Sequence, residues 1–223
     1  MQRNINEVIF NLIYVFLIMK KTGWFLFAFF AIGVGLYPML YLIIREKFGL
    51  LMTKPTELLQ NGLWNAAFYL HIALGVISLI CGWSQFSKKL RIKRLNLHRN
   101  LGKVYILAVL PAGAAGLYLA FYATGGIIAQ LGFGCLAVLW LYTTGKAYYS
   151  IRQIDIQNHQ YWMIRSYALC FAAVALRLWL PFSQAVLGLE FIFAYRIVAW
   201  LCWVPNLIFS EWLVRKHKLQ NAL

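Results

Sequence analysis

Apolar residues in this chain gather into six long blocks, roughly 23–44, 63–84, 104–123, 127–149, 162–182 and 191–213, and polar residues fall mainly in the gaps between them. The blocks are apolar throughout and do not alternate with polar positions. A helix needs about 20 mostly apolar residues to cross about 30 Å of hydrocarbon, so each block is long enough to span. The pattern predicts an all-α, polytopic membrane helix bundle of six transmembrane helices. A shorter apolar run precedes the first block in EVIFNLIYVFLIMKK; its roughly 14 residues are too few to cross. Glu7, Asn11 and Tyr14 share one helical face there, which predicts an interfacial helix over residues 1–22. No small-residue cleavage site follows it, so a signal peptide is not expected. Met19-Lys20-Lys21 before an apolar span also makes a second translation start, with the first 18 residues dispensable. The expected organisation is an interfacial helix at 1–22, a single transmembrane domain at 23–213 and a cytoplasmic tail at 214–223.

The segments LRIKRLNLHRN and IRQIDIQNHQY echo one another. Each follows an apolar block, each has Arg seven residues before His (Arg91 to His98, Arg152 to His159), and each leads into a span carrying Tyr105 or Tyr167. Hairpins 63–123 and 127–182 are then two copies of one unit. Spans two to five form a four-helix core, with spans one and six flanking it, and such cores are where helical proteins build cofactor sites. Gly75, Gly82, Gly113, Gly116, Gly132 and Gly134 lie along these spans, and small residues permit close helix approach in lipid. Pro111 and Pro205 are expected to kink the helices that contain them.

Composition agrees with this picture, since the chain is 62% hydrophobic and only 12% charged, a membrane composition. A net charge of +15 would suggest nucleic acid in a soluble protein, but its distribution follows the spans. Residues 87–103 carry Lys88, Lys89, Arg91, Lys93, Arg94, Arg99 and Lys103 without an acid. Residues 146–165 carry Lys146, Arg152 and Arg165 against Asp155 alone, and the tail carries Arg215, Lys216 and Lys218. The alternate loops at 124–126 and 183–190 hold no basic residue, and the loop at 45–62 balances three bases with two acids. Positively charged loops stay on the cytoplasmic side, so both termini are placed there and nucleic acid is set aside as a partner. Cys81, Cys135, Cys170 and Cys202 lie on four different spans without a CxxC pair and read as packing residues. No metalloprotease helix, carboxylate pair, nucleophile elbow, phosphate loop or dinucleotide fingerprint is present.

Counting 1.5 Å per residue from the cytoplasmic end of each span places His71, Tyr118 and Arg177 at about 22 Å, and Gln130 and Arg196 at about 24 Å. Five spans thus bring a polar group to one level in the outer third of the membrane. A buried arginine in lipid must face the bundle, a cavity or a partner, and only Glu190 is a nearby acid. The residues read as a pocket open to the outside for a small anionic, quinone-like or lipid-like ligand, with Arg177 and Arg196 as donors and His71 as donor, acceptor or proton carrier. The alternative has the arginines snorkel to outer phosphates. A second layer lies at the cytoplasmic end, where His98 and His159 begin two spans that run in the same direction. Two imidazoles can hold one haem b iron when their nitrogens stand about 4 Å apart, with Arg99 and Arg165 available to the propionates. His71 is too far away to join them, so two haems are excluded.

HIALGVISLICGWSQF (71–86), HRNLGKVY (98–105), ATGG (123–126), GFGCLAVLWLYTT (132–144) and HQYWMIRSYALCFAAVALR (159–177) together resemble the bacterial multi-pass family known as domain of unknown function 2306. The resemblance covers about residues 65–180 and implies four core helices in a bacterial inner membrane, without an established activity. Gln160 departs from it, standing after His159 where a basic residue is expected. A looser similarity links the arrangement to haem-carrying four-helix cytochrome b and ferric reductase-like domains. Three functions follow as expectations. The leading one is a redox module with one haem on His98 and His159 that exchanges electrons with a quinone. The second is a binding or transport protein using the outer pocket, and the third is a subunit whose spans pack against a partner.

Overall fold

The computed structural model describes residues 21–44 and 49–222; the expected interfacial helix and the alternative start at Met19 lie almost wholly outside them. The described residues form helices and turns with no strand among them. The first apolar block becomes α1 (Lys21–Leu36), a 3-10 turn at Tyr37–Met39 that carries Pro38 in its first turn, and the short α2 (Leu40–Ile43). Proline has no N–H to continue the α-helical ladder, which explains the change of pitch. A second 3-10 turn (Gly49–Thr53) and α3 (Thr56–Leu59) lead to α4 (Gly62–Ser84), whose cap residue Asn61 accepts from Trp64 N at 3.0 Å.

The remaining elements are α5 (Lys88–Lys93), α6 (Leu95–Ala120), α7 (Ile127–Arg152), α8 (Ile156–Cys170), α9 (Ala172–Ala185), α10 (Phe191–Leu201) and α11 (Val204–Ala222). Helices α8 and α9 together make the fifth span, and α10 and α11 the sixth. The sixth span breaks just before Pro205, as expected, whereas α6 runs through Pro111 without interruption. Helices also extend well past the apolar blocks at the basic end: α6 starts nine residues before position 104, and α11 carries the tail to Ala222. An apolar block marks where a helix lies in hydrocarbon, while Lys, Arg and Gln continue it into water because they are good helix formers.

Helix α4 packs on α6, α6 on α7, α7 on α8, and α8 closes the ring on α4. Helices α6 and α8 therefore face one another across a diagonal of the four-helix core. Helix α10 lies on α7 and α9, and α11 lies on α8. On the other flank α1 inserts Phe27, whose ring meets Phe86, Tyr167 and Phe171 at centroid distances of 6.1, 5.5 and 5.4 Å. This is the six-span bundle with flanked core that the sequence predicts. Large apolar side chains such as Leu107, Phe121 and Val138 are exposed on the outside, as a lipid-facing surface requires.

The centre of the core is polar. Tyr105 Oη and Ser166 Oγ lie 2.8 Å apart, Thr144 Oγ1 is 2.6 Å from the same Ser166 oxygen, and Trp140 Nε1 donates to Tyr105 Oη at 3.4 Å. Tyr167 donates to the Leu79 carbonyl at 2.9 Å. Each such bond between membrane helices is worth about 0.6–2 kcal/mol, and these join α6, α7, α8 and α4. All four cysteines are free thiols, with Cys170 and Cys202 buried, in keeping with a packing role.

Candidate functional site

The end of the bundle opposite the basic loops holds a cationic side chain with no acid paired to it among the described residues. Arg177, on α9, donates from Nη1 to the Ala173 carbonyl at 2.9 Å. Its guanidinium stands 4.8 Å over the ring of Tyr37. Its Nε is buried without a hydrogen-bond partner among the described residues. His71 and Tyr41 lie within electrostatic reach of it. Glu190, the acid that the sequence places nearest, instead caps α10, accepting from Ile192 N at 3.0 Å and Phe193 N at 3.2 Å.

His71 is fixed by its surroundings. Its Nδ1 lies 2.8 Å from the Ala112 carbonyl on α6, and since a carbonyl only accepts, Nδ1 carries the proton. That leaves Nε2 to accept from a ligand in the neutral ring, or to donate in the protonated one. The ring passes over α6 at Gly116, where a Cβ would come within 2.9 Å of both His71 Cε1 and Nδ1, so glycine makes room for the imidazole. Trp64, Phe68 and His71 share one face of α4 by their spacing. Trp64 stacks on Phe68 at 5.2 Å, Phe68 meets Tyr41 at 5.5 Å, and Trp64 Nε1 is a second buried donor without a partner among the described residues.

The five residues placed at one level by helix counting do not converge. His71 and Arg177 come together. Arg196 is exposed and donates from Nε to the Gly125 carbonyl at 2.7 Å, and Gln130 donates to the Phe121 carbonyl at 3.0 Å; both tie down the turn between α6 and α7. Tyr118 bonds the Tyr122 hydroxyl at 3.4 Å. Helix counting gives height but not direction around the axis, which explains the split. Tyr37 and Tyr41 join the site instead, and Tyr-Pro at the end of the first block is the signal that could have found them. Lys54, in the connection between α2 and α4, is buried and donates to the Tyr122 carbonyl and to Thr124 Oγ1, the latter at 3.0 Å.

At the basic end, His98 and His159 lie within electrostatic reach across the α6–α8 diagonal. His159 Nδ1 is 2.8 Å from the Ala147 carbonyl, which leaves Nε2 as its ligating atom, a common arrangement for a metal-bound imidazole. Arg165 is taken by Glu211 on α11, which accepts from both Nε and Nη2, the latter at 2.8 Å, and it stacks on Trp162 at 4.6 Å. Gln85 is buried against α6 at Gly102, one turn above His98. Tyr105, two turns along α6 from His98, has no exposed surface. No group of three or more metal-ligating side chains occurs among the described residues.

The chain matches, over residues 68–214, the family described as "Predicted membrane protein (DUF2306)". Comparison with curated proteins and with solved structures finds no match. The matched region runs from the second turn of α4 into α11 and takes in most of α4 and all of α6, α7 and α8; the chain is an integral membrane protein that belongs to the DUF2306 family.

Proposed function

We propose that this protein binds a small anionic or lipid-like ligand, held at the end opposite the basic loops by Arg177 and His71. The carrying observation is Arg177: its guanidinium is half-buried, its Nε is unpartnered among the described residues, and the acid closest in sequence is committed to a helix cap. Such a group inside a membrane bundle is costly unless a ligand or partner meets it, and guanidinium prefers a carboxylate or phosphate that accepts two bonds at once. His71 adds a second polar contact through Nε2 and can exchange a proton with the ligand. Aromatic Tyr37, Phe68 and Trp64 provide an apolar wall for a chain or ring, so a quinone ring is the second candidate for the same donors. The orientation that makes this the outer face follows from the basic loops. A haem-based redox role rests on the His98–His159 juxtaposition alone; a Soret band in protein expressed with haem supplied, lost in His98→Ala and His159→Ala, is the observation that would favour it.

The test uses decanoate and decanol as probes in detergent. Decanoate is expected to raise the melting temperature of the wild type where decanol does not. Arg177→Gln should lose that response while keeping helicity and elution volume, and Arg177→Lys should keep part of it. Equal responses to the acid and the alcohol, or an unchanged response in Arg177→Gln, overturn the proposal.

A further inference from the structure

At the opposite end, the chain turns from α4 through Gln85 into the basic surface helix α5, and then climbs α6 past His98. Gln85 has only 7% of its surface exposed, yet its Nε2 has no hydrogen-bond partner among the described residues. His98 Nδ1 is likewise buried and unpartnered. The Gln85 side chain lies against Gly102, where a Cβ would stand 3.6 Å from its Oε1, and Gly102 is one turn above His98 on the same helix face. Arg91 donates to the Gln85 carbonyl at 3.5 Å, and Arg91 and Arg99 both act electrostatically on His98. No aspartate or glutamate occurs between Glu57 and Asp155, so neither α4, α5, α6 nor α7 can supply a carboxylate here.

Two buried polar atoms left without partners are each costly, and native proteins seldom leave such atoms unsatisfied. One acceptor-rich group would meet both if the imidazole donates from Nδ1. We infer that the corner of α4, α5 and α6 is a second binding site, holding a phosphate-type oxyanion between Gln85 Nε2 and His98 Nδ1 with Arg91 and Arg99 supplying the charge. A phosphodiester of a membrane lipid and a free phosphate present the same oxygens, and the site lies where a spanning bundle meets the headgroups. None of its residues belongs to the Arg177 site, so either can fail without the other.

The experiment uses delipidated full-length protein in maltoside detergent at fixed ionic strength. The probes are inorganic phosphate, dihexanoyl phosphatidylglycerol, and dihexanoylglycerol as the phosphate-free control. Thermal stabilisation is expected from at least one phosphate probe and not from the glyceride. Its apparent affinity should weaken about tenfold or more in Gln85→Leu and in Gln85→Glu, and should be unchanged in Lys216→Gln. A response to phosphatidylglycerol alone assigns the site to lipid; a response to inorganic phosphate as well assigns it to the free ion. Gln85→Glu keeps the shape and hydrogen-bonding length, so it reads binding if Gln85→Leu folds poorly. No response to either phosphate probe, equal stabilisation by the glyceride, or an unaltered response in both Gln85 variants overturns the inference and leaves water as the occupant.

Discussion

The ring of Tyr167 occupies the space that a side chain at Gly82 would need: a Cβ there would fall 2.2 Å from Tyr167 Cε2 and 2.4 Å from Cδ2. The ring cannot retreat, because its hydroxyl is bonded to the Leu79 carbonyl at 2.9 Å and Phe27 packs against it at 5.5 Å. Gly82→Ala is therefore an overpacking change that costs about 3 kcal/mol, or about 6–12 °C in melting temperature. Tyr167→Phe removes only the hydroxyl bond and costs about 1 kcal/mol. Against Tyr167→Ala the alanine clash disappears, so in the cycle of wild type, Gly82→Ala, Tyr167→Ala and their double variant the double loses less than the sum of the two singles. Thermal unfolding in detergent measures all four proteins, and additive losses would refute the close contact.

Arg165 and Glu211 fasten the last span to α8. The pair is partly exposed, with side-chain accessibilities of 14% and 39%, so its worth is modest in spite of the two-point geometry. Glu211→Gln and Arg165→Gln are each expected to lower stability, and a double-mutant cycle should give a coupling of about 1 kcal/mol. The same cycle at 1 M salt should shrink, because the accessible side of the pair is screened.

Span number, helical class and the flanked four-helix core were legible in the apolar blocks, because lipid demands long uninterrupted apolar helices whatever else the protein does. Helix counting grouped His71 with Arg177, which do interact. What one-dimensional counting cannot supply is azimuth: Gln130 and Arg196, assigned to the same level, turn to the α6–α7 carbonyls. Arg165 illustrates a second limit. Its partner Glu211 lies 46 residues away, and only the docking of α11 on α8 reveals that the guanidinium is already matched. Gln85, just past the second apolar block, drew no reading from the sequence; its burial against Gly102 follows from the turn into α5, which the apolar pattern does not encode.

His71 depends on Gly116. A Cβ at that position would stand 2.9 Å from the imidazole Nδ1 and Cε1, so Gly116→Ala should push the ring off the Ala112 carbonyl. Losing that bond is worth about 1 kcal/mol, and with the ring no longer fixed the decanoate response should weaken about fivefold. Gly134→Ala is the comparison, since no atom lies within 4 Å of its Cβ position. An undiminished response in Gly116→Ala, with the fold retained, would remove His71 from the ligand contacts.

Lys54 makes a pH-dependent contribution of a definite sign. Burial lowers its ammonium from the ordinary 10.5 to about 8, although its nitrogen donates to the Tyr122 carbonyl and Thr124 Oγ1. Below about pH 8 the lysine is protonated in both folded and unfolded chains, and the cost of burying its charge is felt in full. Between about 8 and 10.5 the unfolded chain holds more protons, so stability rises with pH across this window. Above it both states are neutral and the penalty is gone. The melting temperature of wild type relative to Lys54→Met should accordingly climb from pH 7 to pH 10, because methionine fills similar space without titrating. Other groups titrate in both proteins and cancel in the difference. A difference that stays flat across that range would mean that the ammonium is solvated in the folded chain, and one that falls would mean that its two oxygen partners stabilise the charge more than burial penalises it.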